Sequence, residues 1–385
     1  VDTLLEILRS LGGSAEWTGP GEVELRAGSG TARRGLDPRL AGEIRGSVLL
    51  AGPMLARWGA VELPQPGGDF IGRRRLDTHL LALQALGAEV EVGGDGFHLR
   101  SDGLRGTSIF LDEPSVTGTE NAILAAVTAD GTTEIRNAAR EPHVRDLCRF
   151  LSALGARIEG EGTHHLTIEG VSALGGGRYR LGPDHIEIGS LIGLAAATGS
   201  TLRIAEVARE DFDPLRVGFQ RLGVEFEWRE DDLAVLAGEG LDIQPDVGDQ
   251  IPKIDDGPWP AFPADLISIA LVLATQCRGT VLVHEKMFES RMFFVDKVVA
   301  MGARIVLCDP HRAVVVGPAR LRGARLESPD IRAGMAMLIA ALAAEGESRI
   351  YNVRQIDRGY ERIHERLSAL GAEIERVASE GEESE

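Results

Sequence analysis

The sequence predicts an α/β protein of two domains, each assembled from three copies of one supersecondary unit. Three observations lead there. A helix-like segment closed by Leu-Gly or Met-Gly and followed by an alternating strand occurs six times. An Ala/Leu-rich helix, a glycine turn and a β-branched strand occur five times between those copies. The 385 residues, 43% hydrophobic and 26% charged, have an ordinary globular composition and exceed the length at which one core usually splits into two.

The first unit reads LRSLGGSAEW at Leu8, LQALGAEVEV at Leu83, LSALGARIEG at Leu151, FQRLGVEFEW at Phe219, VAMGARIVL at Val299 and LSALGAEIER at Leu367. Its glycines are Gly12, Gly87, Gly155, Gly223, Gly302 and Gly371. They fall roughly 70 residues apart, as in stacked repeats. Each stands where a helix ends on a left-handed residue, which glycine supplies without steric cost, and the strand that follows alternates with period two.

The second unit reads SVLLAGPMLARWGAVEL, NAILAAVTADGTTEI, SLIGLAAATGSTLRI, LISIALVLATQCRGTVLV and GMAMLIAALAAEGESRI. These helices are apolar on nearly every face and are therefore expected at domain centres. Six copies of the first unit stand against five of the second. The missing partner would precede Val1, so the count predicts that an N-terminal half-repeat is absent. The boundary is expected near Leu181-Gly182-Pro183-Asp184, after the run Gly175-Gly176-Gly177. That gives domains over 1–182 and 183–377, and an acidic tail over 378–385 that buries nothing and is expected to be disordered.

Charge narrows the partners. A net charge of −18 argues against a nucleic-acid or anionic-membrane surface. An anionic ligand would need arginines gathered locally. Cys148, Cys277 and Cys308 are too few and scattered for a disulfide framework and read as buried small residues of a reducing compartment. No apolar run approaches the roughly 18 residues of a membrane span, and the first residues do not resemble a signal peptide. The expectation is a cytoplasmic protein. Nothing in the sequence sets an oligomeric state.

Five segments then share one resemblance. They are Pro66-Gly67-Gly68-Asp69-Phe70-Ile71-Gly72-Arg73-Arg74-Arg75-Leu76-Asp77-Thr78-His79; the stretch from Arg45 to Pro53; Glu113-Pro114-Ser115-Val116-Thr117; Phe262-Pro263-Ala264-Asp265 with Phe288-Glu289-Ser290-Arg291; and Asp330-Ile331-Arg332 with Asp357-Arg358-Gly359-Tyr360. In this order they resemble the UDP-N-acetylglucosamine 1-carboxyvinyltransferase family of enolpyruvyl transferases, from Val1 to about Val377. The resemblance implies two inside-out α/β barrels, each of three βαβαββ repeats, with a mobile catalytic loop at about 64–79. It also implies transfer of enolpyruvyl from phosphoenolpyruvate to the sugar 3-hydroxyl of UDP-N-acetylglucosamine, with release of phosphate. No cofactor and no metal are implied. Two departures stand out. The family's N-terminal lysine–asparagine pair is absent, and Asp69 occupies the loop position where most members carry cysteine.

Such a reaction needs cations for a phosphate and a carboxylate, acid and base groups, and exclusion of water. By resemblance Arg74 contacts the phosphate, Arg332 and Arg358 face it from the second domain, and Arg45 lines the site from the first. Guanidinium suits both anions because it is planar and permanently charged. Taken alone, Arg73-Arg74-Arg75 also fits a solvated face. Arg75 is expected to cover the uracil, and Leu76, Asp77, Thr78 and His79 to follow along the uridine, although His79 equally fits a structural imidazole.

Asp69 fits a tight-turn residue; by resemblance it is the acid at C3 or assists product release. Asp265 fits a helix cap; by resemblance it is the base that takes the hydroxyl proton. Glu113, Pro114, Ser115, Val116 and Thr117 precede a helix expected to begin near Glu120, whose free amides suit a phosphate; by resemblance the diphosphate lies there. Ser115 or Thr117 also fits a simple cap. Met287 and Asp330 match positions near the sugar. His164 and His165 lie on a predicted strand without a third ligand at metal spacing and receive no role. The shikimate-directed enolpyruvyl transferases and a non-catalytic sugar-nucleotide binder are the competing readings.

Overall fold

A computed structural model describes residues 1–28, 35–69, 71–238 and 240–377. The acidic 378–385 segment lies outside them. The chain forms two compact units, Val1–Asp69 with Arg74–Gly182, and Pro183 onward together with loop residues Ile71, Gly72 and Arg73.

The six Leu-Gly and Met-Gly closures are one structure repeated. Gly12, Gly87, Gly155, Gly223, Gly302 and Gly371 all have φ between +82° and +109°. In each copy the next residue donates its amide to the carbonyl five residues back: Gly13 to Leu8, Ala88 to Leu83, Ala156 to Leu151, Val224 to Phe219, Ala303 to Val298 and Ala372 to Leu367. That bond satisfies a carbonyl left open by the helix end. Strands Ser14–Gly19, Glu89–Gly93, Arg157–Glu159, Phe226–Arg229 and Arg304–Asp309 follow five of the glycines. Each of these is half of an antiparallel hairpin. Residues 372–377 carry no strand.

Two copies of a longer motif are complete. In the first unit, strand Ser108–Phe110, helix Val116–Ala126, strand Thr132–Arg136, helix Pro142–Ala153 and strands Arg157–Glu159 and His165–Glu169 run in order. The first two strands pair in parallel, and the last returns between the second and third. Lys253–Asp255, Ile267–Ala274, Gly279–His284, Val295–Ala300, Arg304–Asp309 and Arg312–Gly317 repeat that topology in the second unit. Of the helices between the parallel strands, Ile267–Ala274 has every residue buried.

Helices His185–Ala197, Ile267–Ala274 and Ile331–Leu342 pack on one another in the core of the second unit. They come close because Gly189 and Gly193 carry no side chain. A Cβ at Gly193 would lie 2.2 Å from Ile269 Cγ2, and one at Gly189 2.3 Å from Leu266 Cδ1. Overpacking of this kind costs about 1–3 kcal/mol. Gly193→Ala is therefore expected to destabilise the second unit by that amount, read as a lower denaturant midpoint at unchanged slope; an unaltered midpoint would mean that Ile269 moves aside freely.

Cys148 and Cys277 are buried as expected, whereas Cys308 is exposed. The correction follows from topology. Arg304–Asp309 is the edge strand of its sheet, and its register slips between Leu307 and Asp309. No helix of the described residues is long and apolar enough to cross a membrane.

Candidate active site

In the first unit the strand Ala60–Pro64 and the helix Asp77–Ala85 hold the two ends of the Gly-Gly loop. Gly67 donates its amide to Ala41 O at 3.1 Å, and a Cβ there would fall 1.6 Å from Gly42 O, so only glycine fits. Arg45 secures the far end, donating from Nη2 to the carbonyls of Arg74 (3.0 Å) and Arg75 (3.1 Å). Its Nε is buried and has no partner. Burial, and then the neighbouring charge of Arg74, bring Arg45 down to about 10. Two guanidiniums that disfavour each other's charge, one with an unused donor, make a place suited to an anion.

Asp69 is half-buried in the loop, and Phe70 lies outside the described residues. Ile71, Gly72 and Arg73 belong to the second unit, where Ile71 O accepts from Ser290 N and Arg73 N donates to Glu289 Oε2, both at 3.2 Å. Arg75 is held by carboxylates. It donates to Asp77 at 3.0 Å and to Asp112 at 2.9 Å, and the Asp77 hydrogen bond and charge raise its pKa. Leu76 is half-buried, one residue ahead of the helix.

Thr78 donates to Asp112 Oδ1 at 2.8 Å. His79 is almost fully buried, and its hydrogen bonds fix its tautomer. Asn121 Oδ1 accepts from Gly52 N at 2.6 Å, so its amide nitrogen is the donor to both Val48 O and His79 Nδ1. His79 Nδ1 must then be the acceptor, leaving Nε2–H to donate to Thr117 Oγ1 at 3.1 Å. Burial, with the charge of Arg45, lowers His79 to about 4 and keeps it neutral. His79 is thus a packed, neutral imidazole beside Arg45.

The helix begins at Val116 and not near Glu120. Ser115 is extended and its Oγ accepts from Gly118 N at 3.2 Å, so the helix starts directly after it. Thr117 is the partner of His79 and does not cap. Glu113 and Pro114 form the half-buried approach to the cap.

In the second unit Asp265 lies in the 3₁₀ turn Ala264–Leu266, directly before the helix Ile267–Ala274. Its carboxylate is bound by two arginines. Arg291 Nη2 donates to Oδ1, and Arg332 Nε to Oδ2 at 2.9 Å. Arg332 also donates to Tyr360 OH at 3.0 Å, and that hydroxyl meets Ser190 Oγ at 2.7 Å. Burial opposes the charge on Arg332, but Asp265 and Tyr360 outweigh it and hold its pKa above the usual value.

Asp330 caps the helix Ile331–Leu342, accepting from Arg332 N and Ala333 N at 2.9 Å each, and so aims Arg332. Met287 is exposed in the turn after strand Gly279–His284. Arg358 is exposed and donates to Gln355 Oε1 at 2.8 Å. His164 and His165 are exposed, and no group of three or more metal-binding side chains is assembled among the described residues.

A family model described as EPSP synthase (3-phosphoshikimate 1-carboxyvinyltransferase) matches residues 1–367. A UDP-N-acetylglucosamine 1-carboxyvinyltransferase of Bradyrhizobium diazoefficiens is 61% identical over 376 residues, covering 98% of this chain and 87% of the relative. This chain belongs to the UDP-N-acetylglucosamine 1-carboxyvinyltransferase family. Another relative of that name, from Treponema denticola, is 54% identical over 375 residues, covering 97% of this chain and 88% of its own. Among solved structures, the enolpyruvyl transferase NikO of Streptomyces tendae matches with a TM-score of 0.84 at 25% identity, over 97% of this chain and 87% of that one. EPSP synthase of Acinetobacter baumannii matches with a TM-score of 0.73 at 18% identity, over 97% and 88%. The mixed α/β fold is that of the enolpyruvyl transferases.

Sequence reasoning gave no role to Arg291, Tyr360 or Glu289 in this family member. Arg291 and Tyr360 lay inside segments already singled out. The signal for Arg291 was an arginine followed at once by the apolar run Met292-Phe293-Phe294, a setting in which a charge requires a partner.

Proposed function

We propose that this chain transfers the enolpyruvyl group of phosphoenolpyruvate to the 3-hydroxyl of UDP-N-acetylglucosamine, releasing phosphate, the first committed step of peptidoglycan synthesis. The observation that supports this reading is Asp265, whose two carboxylate oxygens are each held by an arginine. Asp265 takes the hydroxyl proton as the oxygen attacks C2, and Asp69 delivers a proton to C3. Loss of phosphate and of a C3 proton then restores the double bond. Arg45 and Arg74 receive the phosphate, with Arg332 and Arg358 as the second unit's cations for the same ligand. The diphosphate of the sugar nucleotide takes the helix start at Ser115, Val116 and Thr117, next to Glu113 and Pro114. Leu76, Asp77, Thr78 and Arg75 serve the uridine, and Met287 and Asp330 the sugar. The same reading takes each unit as an inside-out barrel of three βαβαββ repeats with its apolar helices innermost, working in the cytoplasm.

Phosphate release assayed with both substrates tests it. Turnover is expected with UDP-N-acetylglucosamine and not with shikimate 3-phosphate, and only the former should raise the melting temperature. The loop residue adds a second arm. Fosfomycin alkylates the family's loop cysteine as a thiolate, which Asp69 does not offer. The chain is expected to resist the drug, and Asp69→Cys to become inactivated over time. Time-dependent inactivation of the unaltered chain would count against Asp69 as the loop residue.

A further inference from the structure

Two carboxylic acids outside this scheme are fully buried in the second unit. Asp256 and Glu285 each have a relative exposure of 0%. Asp256 follows strand Lys253–Asp255 and Glu285 follows its parallel neighbour Gly279–His284, with Asp255 beside His284 in the register. The two acids therefore leave adjacent strand ends together and grip one turn. Asp256 accepts from the amides of Lys286 and, at 3.3 Å, Met287. Glu285 Oε1 accepts from the amides of Met287 at 3.1 Å and Phe288 at 3.0 Å.

The other oxygen, Glu285 Oε2, is buried without a donor. A buried acceptor left open beside a second carboxylate is costly twice, by desolvation and by repulsion. One proton relieves both costs, since protonated Glu285 becomes a donor to Asp256. Burial, with the charge and hydrogen bonding of Asp256, pushes Glu285 up to about 9, against partial opposition from Arg291 and the Phe288 amide. Other charged groups adjoin the pair. Arg291 acts from the following turn. His311, whose Nδ1 meets Glu285 O at 2.8 Å, lies between strands Arg304–Asp309 and Arg312–Gly317. Lys286 is paired with Asp255 at 2.9 Å, and His284 and Arg312 sit opposite each other on the sheet.

We propose that Asp256 and Glu285 hold one proton between them and act as positioning residues, fixing the Lys286–Phe288 turn so that Met287 meets the sugar nucleotide and Arg291 reaches Asp265. This rests on the enolpyruvyl-transfer reading above. It accounts for two buried carboxylic acids gripping one turn ahead of the partner of Asp265.

The test compares the unaltered chain with Glu285→Gln and Glu285→Ala across pH. Glutamine keeps the acceptor and replaces the shared proton with a permanent N–H. Its KM for UDP-N-acetylglucosamine should stay within about threefold of the parent at neutral pH, and the parent's rise in KM above about pH 9 should vanish. Alanine should raise KM about tenfold or more at every pH. Melting supplies an arm that needs no activity. An acid whose pKa rises on folding keeps its proton in the folded chain after the unfolded chain has lost it, so stability falls as pH climbs from the ordinary glutamate value through about 9. The advantage of Glu285→Gln over the parent should widen across that window, by about tenfold in the folding constant per pH unit. Parallel pH profiles for parent and glutamine variant, or a glutamine variant as impaired as the alanine one, would overturn the shared proton. If the parent releases no phosphate at all, the enolpyruvyl reading fails instead, and the melting arm still decides the proton.

Discussion

Asp265→Ala is expected to lower kcat by about 10²–10⁴-fold, the usual contribution of a positioned base, while UDP-N-acetylglucosamine still raises the melting temperature of the variant. The split follows from where Asp265 sits. Its carboxylate is a hub for Arg291 and Arg332. Removing it strands two guanidiniums in a poorly hydrated setting, so the variant should also melt lower than the parent. Steady-state kinetics and ligand-induced melting shifts on the same preparation separate the two effects. A variant that turns over within tenfold of the parent would remove Asp265 from the chemistry.

Arg291→Met is expected to have the largest effect on stability. Arg291 keeps only 7% of its side-chain surface, between Asp265 on one side and Asp330 at 3.9 Å on the other. Methionine fills most of the volume but leaves both carboxylates one cation short. Breaking a buried pair from one side costs about 3–5 kcal/mol. The low end, about 3 kcal/mol, applies here because Asp265 retains 33% of its side-chain surface. Urea denaturation reads this as a lower midpoint at unchanged slope. Turnover should fall less than in Asp265→Ala, because Arg332 still orients the carboxylate. Wild-type stability in Arg291→Met would show that the Arg332 contact alone satisfies Asp265.

The repeat architecture was legible because its signals are local. A helix that must end on a left-handed residue writes Leu-Gly into the chain, and all six glycines carry out that one task. The candidate site residues stand out as a set for a different reason, since the loop, the Ser115 start and the Asp265 turn each form a short contiguous motif. Their partners do not. Asp265 also fits a cap in sequence, and its engagement by Arg332, 67 positions away, emerges only in three dimensions. Asp256 and Glu285 resemble ordinary strand-end acids until a parallel pairing sets them together. Arg75 reads as a free planar cation until Asp112, 37 positions on, engages it. Pairings set by tertiary contact leave no periodic trace in sequence, and these were the ones missed.

The edge position of Cys308 has a practical outcome. Burial, with nearby acids, pushes the thiols of Cys148 and Cys277 up to about 12, which leaves them almost wholly protonated in neutral buffer and screened from reagents. Cys308 is the chain's third and last cysteine, and it faces solvent. A maleimide fluorophore would thus mark a single spot on the native polypeptide, giving an optical handle without any engineered attachment point.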